Sequence, residues 1–346
     1  MKAIALLILL LARATAAEDP AEADAPIAPI AAAPAEGWSS TITLRNDALE
    51  VVVAPAAGRI VRIACRGGDN LFRLDPALAG YEPGPARADR WANVGGDWFW
   101  PVAQSRWKDF AASDWPPPPA LAEQPWQAAA WKTADGGQCC RVTREYGEPL
   151  NLRATRLVRL EPGAPRLAIR QSLTRTAESK VPAVLWNISQ VGGAERVILP
   201  TDTPSLFDRG FKPLMFGDPP ETHLAACDQA IVYDTAAGEH KLCSDSERGW
   251  VAAGKRGVLL VERTEGGGRG KHPDGGCTVE MYSNAGLGYS EIETLSVEKD
   301  LQPGETLQNT LIIECLDAPP GAEPCALAEH VRKALGELRS DIPPVK

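Results

Sequence analysis

From Trp38 almost to its end, this chain is a succession of short β-forming runs broken by Gly, Pro and Asp. That rhythm limits the possible folds more than any single motif, because short extended runs bury apolar surface only by pairing with one another. Leu49 to Pro55 and Arg59 to Cys65 form the first clear pair. Further runs cover Cys140 to Glu145, Leu152 to Leu160, Arg166 to Thr174, Val181 to Gln190, Ala230 to Tyr233, Trp250 to Ala253 and Val258 to Arg263. Cys277 to Tyr282, Tyr289 to Leu295 and Thr306 to Cys315 follow. In Leu157 to Leu160 and Leu167 to Thr174, apolar and polar residues alternate as in half-buried antiparallel strands. Turn signals such as Glu161-Pro162-Gly163 and Gln302-Pro303-Gly304-Glu305 separate them. The one convincing helix runs from about Pro324 to Leu338. Its apolar face is Ala326, Leu327, His330, Val331 and Leu335, and Pro324 suits a first turn. The pattern predicts an all-β fold, a large antiparallel β-sandwich with a short C-terminal helix.

The ends add context. Lys2, the apolar run Ala3 to Ala12 and the small residues Ala14-Thr15-Ala16 read as an export signal cleaved near Ala16. Ala17 to Glu36 is rich in Ala, Pro and acidic residues and reads as a disordered tether. The expected organisation is therefore a signal peptide over 1–16, a tether over 17–36, one sandwich domain over 37–318, and a C-terminal helix and tail over 319–346. The protein is expected to be periplasmic or extracellular, with no membrane span. A net charge of -9 with no basic patch argues against nucleic acid as a partner.

Eight cysteines in an exported chain favour disulfides. Cys227–Cys243 and Cys315–Cys325 are plausible local loops. Cys139 and Cys140 are neighbours that would point to opposite faces of a strand, so they have different partners or stay free. Spacing gives no metal site, and no cofactor is implied.

Three segments carry candidate chemistry. Asn93-Val94-Gly95-Gly96-Asp97-Trp98-Phe99-Trp100-Pro101, with Gln104, Trp107 and Trp115-Pro116, shows neither a helical nor an alternating period. It reads as a rigid aromatic loop that holds a flat polar ligand, or equally as one that caps a sheet. On Tyr289-Ser290-Glu291-Ile292-Glu293, a period of two puts Tyr289, Glu291 and Glu293 on one face. Paired carboxylates suit base and proton-donor roles, and a solvated strand face is the plainer alternative. A Ser283-to-Gly286 turn would bring Glu280 and Tyr282 beside them. On Val184 to Gln190, Trp186, Ile188 and Gln190 share one face and Asn187 and Ser189 the other. Asn187-Ile188-Ser189 is formally a glycosylation triplet, discounted on a central strand. His223, His240, His272 and His330 lie outside the strong strands. The loop Gly266 to Pro273 offers Arg269, Lys271 and His272 to an anion, or is simply mobile.

With these residues in hand, the chain resembles the galactose-mutarotase-like superfamily. Within it, the chain looks like an uncharacterised, mostly exported bacterial family, domain of unknown function 4380. Val51 to Ile60 is similar to the superfamily's opening strand pair. Asn93-x-Gly95-Gly96-Asp97-x-x-Trp100-Pro101 with Gln104, Trp107 and Trp115-Pro116 resembles the uncharacterised family's signature. Tyr289-x-Glu291-x-Glu293 with Leu301-x-Pro303-Gly304-Glu305 resembles its closing hairpin. The resemblance implies a two-sheet sandwich with a carbohydrate-sized cleft, in which a glutamate takes the anomeric proton and a histidine protonates the ring oxygen. Glu293 matches the glutamate, with Glu291 next. The strand expected to carry the histidine offers Trp186, Asn187 and Gln190 instead. Asp97, protonated Glu291, His223 or His272 are the substitutes the sequence offers.

The expected catalytic set is Glu293, Glu291 and Asp97. The expected sugar-binding set is Asn93, Trp98, Trp100, Gln104, Trp107, Trp186, Gln190 and Glu280. An exported carbohydrate-binding protein, with epimerase-type or glycan-processing activity if the acid is replaced, is the first reading. A non-enzymatic structural or interaction module of the cell envelope is the second. If Glu293, Asp97 and Trp186 do not converge in one concave site, the second reading is the one favoured.

Overall fold

A computed structural model describes residues 24–83, 91–112, 115–121, 124–266 and 270–338. The expected export signal and Arg269 lie outside these residues. In chain order the strands are β1 (Pro26–Pro29), β2 (Ala33–Ala35), β3 (Trp38–Arg45), β4 (Leu49–Ala54), β5 (Arg59–Cys65), β6 (Asp97–Trp100) and β7 (Gln127–Thr133). Then come β8 (Gln138–Tyr146), β9 (Leu152–Leu160), β10 (Arg166–Arg175), β11 (Trp186–Gly192), β12 (Arg196–Pro200), β13 (Lys212–Met215) and β14 (Leu224–Cys227). The last are β15 (Ala230–Asp234), β16 (Glu239–Ser244), β17 (Trp250–Lys255), β18 (Val258–Gly266), β19 (Val279–Asn284), β20 (Tyr289–Leu295) and β21 (Thr306–Asp317), followed by helix α1 (Pro324–Leu338).

They form two antiparallel sheets, as the alternation predicts. One has the order β1-β7-β8-β9-β10-β21-β18-β17-β12-β15-β14, the other β13-β16-β19-β20-β11-β6-β5-β4-β3-β2. Their facing sides interdigitate through Leu44, Ile63, Phe99, Val158, Ile169, Leu260, Met281, Ile292 and Ile313, all buried. Cys65 on β5 and Cys315 on β21 link the two sheets covalently.

The sheet edges are guarded. β1, β2 and β13 carry Pro26, Pro29, Pro34 and Pro213. Proline lacks the N–H that would recruit another strand. β14 is tied to α1 by the Cys227–Cys325 disulfide. The helix packs Ala328, Val331 and Leu335 against Ile198, Val232, Trp250, Leu259 and Val261 on the outer face of the eleven-stranded sheet. Of the expected face, Val331 and Leu335 are buried and Leu327 packs beside them, while Ala326 is exposed and Ala328 takes its place.

Two expectations change. The described part of the supposed tether is built into the sheets, with Pro26–Pro29 pairing β7 and Ala33–Ala35 pairing β3. Asp24 accepts from Arg159 at 2.7 Å. An extended Ala/Pro segment has the composition of disorder, yet it fits an edge that needs few donors. The local disulfides are also replaced, by Cys65–Cys315, Cys227–Cys325 and Cys243–Cys277. These pairs follow sheet stacking and strand neighbourhood rather than sequence proximity. Cys139 and Cys140 are free and buried. Cys140 faces the core, where burial pushes its thiol up to about 12.

Candidate functional site

Strands β16, β19, β20, β11, β6 and β5 lie side by side in the ten-stranded sheet. Antiparallel register sets directly opposed residues, which share a face. Gln190 opposes Glu291, Ile188 opposes both Glu293 and Trp98, and Trp186 opposes Trp100. Glu280 opposes Glu293, Tyr282 opposes Glu291, and Lys241 opposes Tyr282. One outer face therefore gathers Trp98, Trp100, Trp186, Gln190, Tyr282, Glu280, Tyr289, Glu291 and Glu293. The expected hairpin placement of Glu280 and Tyr282 is met.

At the centre is an ionic node. Glu293 is fully buried, and its Oε2 accepts from Trp186 Nε1 at 2.7 Å and from Lys241 Nζ at 3.1 Å. The same Nζ lies 2.9 Å from Glu280 Oε2. Among the described residues, Glu293 Oε1 and Glu280 Oε1 are buried without a hydrogen-bond partner. Gln190 Nε2 donates to Glu291 Oε1 at 2.7 Å. Burial alone would discharge Lys241, but Glu280 and Glu293 outweigh it and hold the ammonium above its usual range. Burial, with Glu293 adding to it, raises Glu280 to about 8 against the pull of Lys241. Burial and then Glu293 raise Glu291 to about 7. A charged lysine between two carboxyls is satisfied by one negative charge, so the node keeps a proton on the Glu280 side near neutrality. Carboxyls that titrate there suit proton transfer.

The tryptophans behave differently from expectation. Trp98, Trp100, Trp107 and Trp186 are all buried. The Arg59 guanidinium sits 3.9 Å from the Trp98 ring centroid, and Lys241 Nζ 4.9 Å from that of Trp186. Trp100 meets Trp98, Trp107 and Trp186 edge-on at 5.7, 5.1 and 5.1 Å. These rings roof the node by packing on cations and on each other. Gln104 opens the 3-10 turn Gln104–Asp109 that places Trp107, and it is half-buried. Trp115 is 55 % exposed beyond Trp107.

Asp97 does not join the site. Residues 97–100 form a strand whose period was hidden because both of its faces are buried. Trp98 and Trp100 point outward, while Asp97 points between the sheets. There it pairs with Arg156 Nη2 at 2.7 Å and accepts from Ser189 Oγ at 3.3 Å. Burial raises its pKa against the pull of Arg156. Of the three residues expected to converge, Glu293 and Trp186 meet and Asp97 is on the opposite face.

The face reaches solvent around Glu291, which is half-buried beside the exposed Glu239 and Phe216, and this rim is its mouth. The Gly95-Gly96 pair, at φ 94° and 81°, builds it. A Cβ there would meet Arg73 O at 1.9 Å and Ile60 O at 2.4 Å. This close approach seats Arg73 on β11, its N–H donating to Gln190 O at 2.8 Å. The Arg73 guanidinium donates to Asn93 O at 2.6 Å and Gln190 Oε1 at 3.3 Å. Asn93 Nδ2 is 3.4 Å from Tyr289 OH. Phe216, Tyr282 and Glu239 complete the rim.

Sequence reasoning missed Lys241, Arg59, Arg73 and Phe216. The run Glu239-His240-Lys241-Leu242-Cys243-Ser244 alternates, but its buried face is His, Leu and Ser and its outer face carries charge. It therefore lacks the apolar signature of a strand. The histidines lie elsewhere. His240 packs edge-on to Tyr233 toward the core at 5.9 Å, and His223 Nδ1 lies 3.9 Å from Asp234. His330 is on α1. His272 lines a separate cavity of about 1410 Å³ at the end of the sandwich, with Asp202, Asp245 and Lys271. Burial lowers its pKa. In that cavity Asp202 is bound by Ser246, Glu247 and Arg248, and Asp245 by Ser205 and Leu206. Asp202 and Asp245 are thus committed to holding loops, whereas the buried ionic node lies around Glu293.

No protein-family model matches the chain, and no curated protein sequence does. Solved structures do. The Slr1438 protein from Synechocystis sp. PCC 6803 matches with a TM-score of 0.56 at 11% identity, over 80% of this chain and 96% of the other. Galactose 1-epimerase from Lactobacillus acidophilus NCFM matches at 0.53 and 11%, over 81% and 95%. A galactose mutarotase-like protein from Lactobacillus casei ATCC 334 matches at 0.51 and 11%, over 80% and 100%. At such identities the likeness speaks for architecture alone: the two sheets form a galactose-mutarotase-like sandwich.

Proposed function

We propose that the outer face of the ten-stranded sheet is a carbohydrate site, with Glu293 as its base. The observation that carries this is the meeting of Glu293, Trp186, Lys241 and Glu280 within single hydrogen bonds, beside the Gln190–Glu291 pair on the same face. In a mutarotase-type reaction, the buried and unpartnered Oε1 of Glu293 accepts the anomeric hydroxyl proton. Glu291, titrating near 7, returns a proton to the ring oxygen in place of a histidine. The aldehyde rotates and the ring closes again with the protons reversed. Glycan processing by the same two carboxyls is the broader form of this reading.

The fold likeness supports the location, since a neighbour of this architecture is a galactose 1-epimerase. The finer kinship with domain of unknown function 4380 rests on residues 93–116 and on the closing hairpin from Tyr289 to Glu305. Export to an oxidising compartment is part of the proposal and is supported by the disulfide pairings. The competing reading is a non-enzymatic structural or interaction module. It is favoured by the complete burial of Glu293, by the cation-covered Trp98 and Trp186, and by Asp97 facing away.

Ligand-observed NMR against reducing sugars and glycans decides between them. Anomer exchange accelerated by wild type and not by Glu293→Gln supports the enzyme. Binding without exchange, kept by the variant, makes the protein lectin-like. No binding to any glycan leaves the structural module.

A further inference from the structure

The mouth of the site has a character of its own. Three aromatic rings run in sequence from solvent inward, Phe216 half exposed, Tyr282 half-buried and Tyr289 buried. Phe216 and Tyr282 have centroids 6.2 Å apart, Tyr282 and Tyr289 5.9 Å apart, and each pair is inclined by 52°. Rings tilted in this way form a corner rather than a flat platform. Phe216 is half exposed although its φ of 65° is costly for an aromatic residue.

Carboxyls flank the corner. Glu239 shares the outer face of β16 with Lys241, is exposed, and accepts from Tyr282 OH at 2.6 Å. Glu291 lies opposite Tyr282, with the buried, unpartnered Oε1 of Glu293 on the same face of the same strand. The cations nearby are committed. Lys241 is held by Glu280 and Glu293, Arg59 covers Trp98, and Arg73 is matched by Asp75 at 3.2 Å. The Arg73 guanidinium sits 5.1 Å from the Tyr289 centroid, so the rings left to a second cation are Tyr282 and Phe216. Aromatic faces beside the exposed Glu239 carboxylate attract an ammonium group through the ring quadrupole and by Coulomb attraction.

We propose that the corner of Phe216, Tyr282 and Tyr289, beside Glu239 and Glu291, binds the ammonium group of an amino sugar. This rests on the carbohydrate reading above and names its ligand class. The sugar ring lies against the mouth, its protonated amine enters the corner, and Glu291 and Gln190 take neighbouring hydroxyls.

The test compares three trimers of matched linkage by calorimetry and NMR: β-1,4-linked glucosamine, its N-acetylated counterpart and cellotriose. Tetramethylammonium chloride is the sugar-free cation. The glucosamine trimer is expected to bind about tenfold tighter than the other two. Phe216→Leu and Glu239→Gln, both at exposed positions, are each expected to weaken it about fivefold while leaving the melting curve unchanged. Equal binding of all three trimers, or preference for an uncharged one, overturns the amino-sugar inference and leaves the carbohydrate reading standing. Tetramethylammonium binding that Phe216→Leu abolishes, with no trimer bound, overturns the amino sugar and leaves a cation site. No binding by any probe overturns the corner as a cation site, and the carbohydrate reading then stands or falls on the wider sugar panel.

Discussion

Strands β6 and β11 bury polar groups on both faces, and the two faces handle them differently. Inside the sandwich, Asp97 meets Arg156 and Ser189. Arg156 continues through Gln171 to Asn309 by bonds of 3.0 Å each. That chain joins strands of both sheets and has no open end at Asp97. On the outer face, Glu293 meets Lys241 and Trp186, and the same face runs on through Glu291 to a solvent-facing rim. A buried carboxylate is thus not by itself a sign of function. What separates the two is whether the network finishes against protein or against a mouth.

The contrast is sharpest where a partner is removed. Arg156→Met removes the charge facing Asp97 between the sheets and leaves it the Ser189 hydroxyl as a donor, and should cost about 3–5 kcal/mol in urea unfolding. Ligand binding by the folded fraction should be unchanged. Lys241→Met leaves Glu280 facing Glu293 and should cost about 3 kcal/mol at pH 8. The loss should shrink at pH 5, where Glu280 is protonated, and binding should disappear at both pH values. If Lys241→Met keeps binding, the node is only packing.

Smaller changes probe the node itself. Trp186→Phe keeps a ring but removes the bond to Glu293, and should cost about 1.5–3 kcal/mol in thermal or urea unfolding. Glu291 carries the smallest effect and a defined sign. Its folded pKa of about 7 lies above the ordinary 4.5. Between those values the unfolded chain releases a proton that the folded chain keeps, so this residue lowers stability as pH rises and adds nothing further above 7. A shift of that size is worth about 3 kcal/mol for a fully desolvated group; Glu291 is only half-buried, so Glu291→Gln should be more stable than wild type by about 1 kcal/mol at pH 8 and equal to it at pH 4. Equal stability at both pH values would mean that Glu291 is solvated rather than held in a site.

Much of this was legible in the residues. Period-two alternation placed Glu291 and Glu293 together, and it separated Trp186 and Gln190 from Asn187 and Ser189. Asn187 is fully buried and donates to Thr294 Oγ1 at 2.9 Å, which agrees with discounting its glycosylation triplet. Asp97 was misplaced because Asp97-Trp98-Phe99-Trp100 is apolar on both faces and polar at one end, so alternation gave no signal. Lys241 was invisible because a buried cation looks like a surface one until its strand has neighbours. Arg73 depended on the Gly95-Gly96 approach, a backbone contact that no local pattern encodes. The disulfides depended on which strands stack, which is a property of the assembled sheets.

The most direct test of the outer face is saturation-transfer NMR with a panel of reducing sugars on wild type, Glu291→Gln and Asp97→Asn. If the site is where we place it, wild type binds a sugar, Glu291→Gln loses it, and folded Asp97→Asn keeps it. Binding that survives Glu291→Gln but fails in folded Asp97→Asn would contradict the account and return the function to the other face.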